Sequence, residues 1–120
     1  MFPLQIGVAQ PLGTEVGLET ARQWCHRNKH AHNAVFAKID FTNEFNCVDR
    51  EAFLKECRNI LPGLSKWAEW CYSEPSFLRF GSYTISSQCG VQQGDPLGPL
   101  LFALALQPLL LRLAYGFLLV

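Results

Sequence analysis

Apolar positions along this chain change their spacing several times, and each change marks an element. In the window 50–61, Phe53, Leu54, Cys57, Ile60 and Leu61 form the i, i+1, i+4, i+7, i+8 stripe of a core-facing helix. Asp49 stands just before it, where a short carboxylate can accept from the free amides of the first turn. Pro62 and Gly63 end that helix, and a shorter one follows with Leu64, Trp67, Ala68 and Cys71 on one face. Upstream, Leu18, Ala21 and Cys25 share a face with Trp24 beside them, which predicts a helix from Glu15 to about His26. Thr14 is placed to cap it, with acids early and bases late. Residues 77–80 and 83–86 flank Gly81-Ser82, and a two-residue link of this kind predicts a hairpin. Residues 35–39 form an apolar run broken only by Lys38 and read as a buried strand. From Pro99 onward, Leu100, Leu101, Ala103, Leu104 and Ala105 build an apolar helix, with Pro99 suited to its first turn. Residues 1–13, with two prolines and two glycines, read as an irregular lead-in.

Composition narrows the class. The 120 residues allow one domain with a modest core, and 49% hydrophobic content excludes a disordered chain. The formal net charge of zero counts against an autonomous nucleic-acid binder. One basic run, Arg22, His26, Arg27, Lys29, His30 and His32, reads as a solvated helix end and loop. The five cysteines contain no C-x-x-C pair and read as reduced thiols of an intracellular protein, nuclear or cytoplasmic. Cys25, His26, His30 and His32 lack the second cysteine pair of a zinc site. The N-terminus shows neither a basic n-region nor a sustained apolar h-region, so no secretory signal is expected. Residues 99–120 are almost wholly apolar, as a membrane span is. Pro99, Gln107, Pro108 and Arg112 favour a buried core helix instead, because charge is costly at depth and a proline breaks a helix interior.

Two stretches carry the chemistry. Residues 36–46 place Asp40 at the end of the expected strand and Phe45 five residues later. A carboxylate at the end of a buried strand is costly unless it is paired or holds a metal. An isolated D-x-x-x-x-F is also what a surface acid near a core aromatic looks like, because so short a pattern arises by chance. Residues 90–102, Gly90-Val91-Gln92-Gln93-Gly94-Asp95-Pro96-Leu97-Gly98-Pro99-Leu100-Leu101-Phe102, form a glycine-rich loop that opens onto the apolar helix. Such a loop leaves backbone N–H groups free to meet phosphate or a base-paired nucleotide.

Together the two stretches resemble motifs A and B of the reverse transcriptase palm of non-LTR (LINE-like) retrotransposons. The resemblance extends from about residue 12 to 110 and includes Val48-Asp49-Arg50, Trp67, Pro75-Ser76 and Phe80-Gly81. It implies an α+β fold: a partial polymerase palm, with a small, mostly antiparallel sheet and helices packed on one face. It assigns residues 14–115 to that domain, with motif A at 36–46 and motif B at 90–102. It also implies an RNA-directed DNA polymerase, in which two Mg²⁺ ions clamp the attacking and leaving oxygens of nucleotidyl transfer. By resemblance Asp40 is the catalytic carboxylate and metal ligand, and the Phe41 carbonyl is a further ligand. Phe45 lies under the incoming sugar, and Gln93 and Gly94 contact nucleotide and template. The implied partners are an RNA template, a DNA primer and a deoxynucleoside triphosphate.

The departures are equally specific. The family's motif C, Tyr-x-Asp-Asp, is absent from these 120 residues, and Asp40, Asp49 and Asp95 are the only aspartates. The family's finger motifs and thumb are also missing, and Glu44 stands where it more often has a small residue. Residues 116–120 are expected to be a truncated tail. The expectation is a polymerase fragment that is inactive as this chain alone. Two alternatives remain: a non-catalytic remnant that binds RNA or protein, and a small membrane-anchored protein that uses residues 99–120.

Overall fold

The computed structural model describes residues 4–7 and 10–116. In chain order the elements are α1 (Gly13–Asn28), α2 (Glu44–Cys47), α3 (Arg50–Ile60), α4 (Pro62–Tyr72), β1 (Ser76–Phe80), β2 (Tyr83–Ser87) and α5 (Gly98–Gly116). This is a small α+β fold, in which β1 and β2 pair antiparallel. The elements fall into two compact units. One runs from Thr42 to Pro108, and the other takes the residues up to Phe41 and those from Leu109 on. The stretch 36–46 is therefore divided between the units.

The core of the Thr42–Pro108 unit follows the apolar stripe of α3. Phe53, Leu54 and Cys57 are buried, together with Ala68 and Tyr72 of α4, Val91, and Leu101, Ala103 and Leu104 of α5. Ile60 is exposed, because α3 ends there and the last part of the stripe runs past the core. Asp49 caps α3 as its position predicts: its Oδ1 accepts from the Glu51 amide at 3.0 Å. Pro62 then opens α4 at a position where no N–H is needed. The two helices pack on each other, with the Phe53 and Tyr72 rings edge to face at 5.4 Å. An Arg58–Glu69 ion pair also joins them, in a half-solvated position where such pairs add little.

The hairpin forms in the expected register, with Phe80 opposite Tyr83 across Gly81-Ser82. Gly81 has φ +59° and Ser82 is not in the positive-φ region, the pattern of a type II′ turn with glycine first. Leu78 faces Ile85 on the side that also carries Phe80 and Tyr83, and the hairpin is exposed along most of its length.

Three local expectations are corrected. Residues 34–41 form no regular element, so the buried strand expected at 35–39 is not present. Val35 is 83% exposed and Ile39 70%. Apolar spacing can suit a strand without supplying the neighbour whose backbone must pair with it. What this segment does have is a ring contact, Phe36 against Trp24 of α1 at 5.8 Å. Second, Thr14 does not cap α1. The helix begins at Gly13, with Leu12 as its cap residue at φ +55° and no side-chain cap bond. Gly13 is buried, and a Cβ there would overlap the Ile6 carbonyl, so close packing sets the start of the helix. Third, the buried core helix expected over 99–120 is a helix over Gly98–Gly116, through Pro108, that is buried only in its first part. A proline removes one backbone bond and crowds one carbonyl, which a long helix can absorb as a kink. The buried positions of α5 stop at Gln107.

Of the lead-in expected at 1–13, residues 1–3, 8 and 9 lie outside the described residues. The tail expected at 116–120 lies outside them too, except for Gly116, which ends α5.

Candidate functional site

Within the Thr42–Pro108 unit, the end of motif A and the start of motif B are tied together by backbone. The Gly90 amide donates to the Val48 carbonyl at 2.8 Å, and the Val91 amide donates to the Phe45 carbonyl at 2.7 Å. The Cys89 thiol donates to the Asn46 carbonyl at 3.4 Å. Gly90 is required at this junction for two reasons. Its φ is +75°, and a Cβ would overlap the Asn46 backbone.

Arg50, in the first turn of α3, holds the same junction from below. It is 7% exposed. Its Nε donates to the Gly90 carbonyl at 3.0 Å and Nη1 to the Ser87 carbonyl at 3.0 Å. Nη2 donates to Ser87 Oγ at 2.9 Å and to the Cys89 carbonyl at 3.4 Å. The guanidinium also sits 5.3 Å from the centre of the Tyr72 ring. The planar fork thus satisfies carbonyls that leave β2 with no strand to pair with.

The loop itself is two consecutive turns. The Asp95 amide donates to the Gln92 carbonyl at 3.1 Å, and Gly94 has φ +91°. A glycine at positive φ in the third position is the mark of a type II turn. The Gly98 amide then donates to the Asp95 carbonyl at 2.9 Å, with Pro96 second in that turn. Asp95 Oδ1 accepts from the Leu97 amide at 2.8 Å, and the Leu101 amide reaches back to the Leu97 carbonyl at 2.9 Å as α5 begins. Tyr72 fixes the first turn to the core. Its hydroxyl donates to Asp95 Oδ2 and accepts from the Gln92 amide at 3.2 Å.

This arrangement brings three of the expected site residues to one place. Phe45, Gln93 and Gly94 line a cleft of about 320 Å³, together with Val91, Gly98, Pro99 and the acid Asp95. The Phe45 ring packs on Phe102 of α5 at 5.0 Å. Gln93 and Gly94 are exposed, and among the described residues their amides have no protein acceptor. Asp40 and Phe41 belong to the other unit, exposed on the irregular segment 34–41.

No protein-family model, curated protein or solved structure matches this chain.

Burial, and then the hydrogen bond to Asp95, push the Tyr72 hydroxyl up to about 12. A folded-state value above the unfolded one near 10 means that the neutral form is favoured by folding. That stability is fully present below pH 10 and is lost between pH 10 and 12. The gap of two units corresponds to about 2–3 kcal/mol. Urea midpoints measured from pH 8 to 12 are expected to fall steeply above pH 10 in the wild type. Tyr72→Phe, already weaker at pH 8, is expected to lose less over that range. Parallel pH curves for the two proteins would contradict the link.

Among the described residues, no three His, Cys, Asp or Glu side chains come together as metal ligands would. Cys25, His26, His30 and His32 do not do so. Asp49 is committed to its helix cap and Asp95 to Tyr72 and Leu97. Within the Thr42–Pro108 unit, the described acids assemble no group of three that would hold a pair of metal ions.

Of two residues that hold the site, Arg50 enters the sequence reading only within the Val48-Asp49-Arg50 stretch of the resemblance, with no role assigned, and Tyr72 is not singled out. Arg50 continues the Phe53, Leu54, Cys57 stripe one turn toward its start, and a charge on an apolar stripe is a readable signal. Tyr72 lies four residues after Ala68, on the same face of α4.

Proposed function

We propose that this chain is part of a reverse-transcriptase-type palm, of the non-LTR retrotransposon kind, that holds a nucleotide without catalysing by itself. In this reading motif A is 36–46 and motif B is 90–102. The observation that supports it most is the cleft that Phe45 shares with Gln93 and Gly94. Residues nearly fifty positions apart, named by resemblance for one ligand, line one cavity and are joined by backbone bonds at Phe45 and Val48. The chemistry suits that ligand. An aromatic ring gives a flat wall for a sugar or base. The open amides of a glycine turn give donors to phosphate or base oxygens. In the intact enzyme of this kind, the partners are an RNA template, a DNA primer and a deoxynucleoside triphosphate inside the cell. Mg²⁺ chemistry would require acids beyond those assembled here, so no step is derived through it.

The test is direct binding. A deoxynucleoside triphosphate added to the purified protein is expected to shift the amide resonances of Gln93 and Gly94. Phe45→Ala is expected to weaken that binding about tenfold, or about 1.4 kcal/mol, and to reduce any preference over the ribonucleotide. Millimolar nucleotide that leaves both amides unmoved would overturn the reading.

One observation favours a second reading. The helix Gly98–Gly116 is long and apolar enough to cross a membrane by length and composition, and only 28% of its most apolar window is buried. Against a span stand fully buried Leu101 and Leu104, which already belong to the protein core. Retention of the protein in membranes after carbonate extraction would favour the span.

A further inference from the structure

Three contacts lay the backbone around Cys89 onto the backbone around Cys47. The Gly90 amide reaches the Val48 carbonyl, the Val91 amide reaches the Phe45 carbonyl, and the Cys89 thiol reaches the Asn46 carbonyl at 3.4 Å. The carbon of that last carbonyl is bonded to the Cys47 nitrogen, so the Cys89 sulfur already touches the residue beside the second thiol. Gly90 lies equally close: a Cβ on it would stand 2.6 Å from the Asn46 Cα. Both cysteines belong to the Thr42–Pro108 unit, and both are free and exposed. The other two cysteines of that unit differ. Cys57 is buried and Cys71 half-buried, and burial pushes both thiols up, so less of either is the reactive thiolate.

We propose that Cys47 and Cys89 form a thiol modification site that takes a small disulfide of the glutathione type and closes into a reversible Cys47–Cys89 bond. Backbones hydrogen-bonded to each other hold facing residues about 4.5–5.5 Å apart at Cα. A disulfide spans about 4.4–6.8 Å. The contacts given up are weak ones to sulfur, on exposed side chains that are free to turn. Cys47 Sγ accepts from Asn43 Nδ2 at 3.7 Å, and the Cys89 thiol donates to one carbonyl. The chemistry is two exchanges. The thiolate of one cysteine attacks the small disulfide, a mixed disulfide forms, and one small thiolate leaves. The thiolate of the other cysteine then attacks the protein sulfur of the mixed disulfide, and the second small thiolate leaves. The two cysteines lose two electrons and two protons in all, and the small disulfide takes up both. The new bond ties the loop to the end of α2 covalently, beside the Val91–Phe45 contact at the wall of the cleft. The segment it closes contains α3, α4 and the hairpin, and a cross-link across so long a segment restricts the unfolded chain. None of this depends on which ligand the cleft holds.

The test adds oxidised glutathione to the native, reduced wild type, then quenches with an alkylating reagent and maps the peptides by mass spectrometry. A linked pair of peptides carrying Cys47 and Cys89 is expected, two hydrogens lighter than its reduced parts. Cys25, exposed in the other unit, is expected to carry glutathione or the reagent, and buried Cys57 the reagent only after denaturation. Cys47→Ser and Cys89→Ser are each expected to stop at a mixed disulfide on the remaining cysteine. The oxidised wild type should show a higher urea midpoint and slower exchange of the Val91 amide, both reversed by dithiothreitol. Cys47 and Cys89 left as separate mixed disulfides, or unreacted, would overturn the proposal. So would a bond from either of them to Cys25, or a Cys47–Cys89 bond that forms only in urea. A bond that leaves or lowers the urea midpoint would overturn its role as a tie.

Discussion

Arg50→Ala is expected to destabilise the protein by about 3–4 kcal/mol, through unpaired buried acceptors rather than through lost charge. Arg50 makes hydrogen bonds to three backbone carbonyls and one hydroxyl between Ser87 and Gly90. Gly90 is buried, so its carbonyl cannot simply turn to water when the guanidinium is removed. The same backbone carries the Gly90–Val48 and Val91–Phe45 bonds, so the loss propagates to the contact between the two motifs. The Tyr72 ring would also lose the cation at its face. Arg50→Lys is expected to recover only a small part, because a single ammonium cannot span acceptors that the planar fork meets from three nitrogens. Urea denaturation gives the size of the effect. Amide exchange gives its place: Gly90 and Val91 should exchange much faster in a mildly destabilised Arg50→Lys protein, while the centre of α1 is unchanged. An unchanged urea midpoint for Arg50→Ala would show that water replaces the guanidinium at no cost.

Elements defined by their own local chemistry were legible in the sequence. Asp49 before the Phe53, Leu54, Cys57 stripe placed α3, and the Asp49 side chain caps it. Gly81-Ser82 fixed the hairpin register, because a two-residue link leaves one way for the flanking strands to pair. Elements that need a distant partner were not legible. The run 35–39 has the composition of a strand, but a strand exists only when another backbone accepts it. The start of α1 was missed for a related reason. Thr14 is a good cap by type, yet the packing of Ile6 against Gly13 decides where the helix begins.

The candidate site divides along the same line. Gly94 in Gln92-Gln93-Gly94-Asp95 and Pro96 in Asp95-Pro96-Leu97-Gly98 are turn chemistry, so the loop shape could be read from residue types. That Phe45 would share a cleft with this loop rested on the resemblance. The bonds that make it so, from Gly90 and Val91 to Val48 and Phe45, are backbone bonds that leave no mark on side-chain spacing. Tyr72 and Trp67 show the other limit. Trp67 read as an apolar position on α4 and Tyr72 was not singled out, and only the loop folded beside them makes Tyr72 an anchor and Trp67 a cavity wall.

Purified alone, this chain is expected not to extend a primer on an annealed RNA template, in Mg²⁺ or in Mn²⁺. Two-metal catalysis needs enough oxygen ligands to hold both ions against their mutual repulsion. Asp40 offers one carboxylate. Asp49 is held by the Glu51 amide and Asp95 by Tyr72 and Leu97, so neither is free to join it without unmaking a cap or a turn. No group of three candidate ligands forms among the described residues. Loss of a group that acts as part of a catalytic unit typically lowers the rate by several orders of magnitude. With a formal net charge of zero, the chain also has no overall electrostatic attraction to a template–primer duplex. The decisive comparison sets the wild type beside Asp40→Ala. Extension by the wild type that Asp40→Ala abolishes would overturn this expectation and point to another acid, with Glu44 the nearest in sequence, completing the site. If neither protein extends, joining a segment that carries Tyr-x-Asp-Asp after residue 120 should restore extension that depends on Asp40. Nucleotide binding at Gln93 and Gly94 should be present in all three proteins, because it draws on the turn and Phe45 rather than on the missing acids.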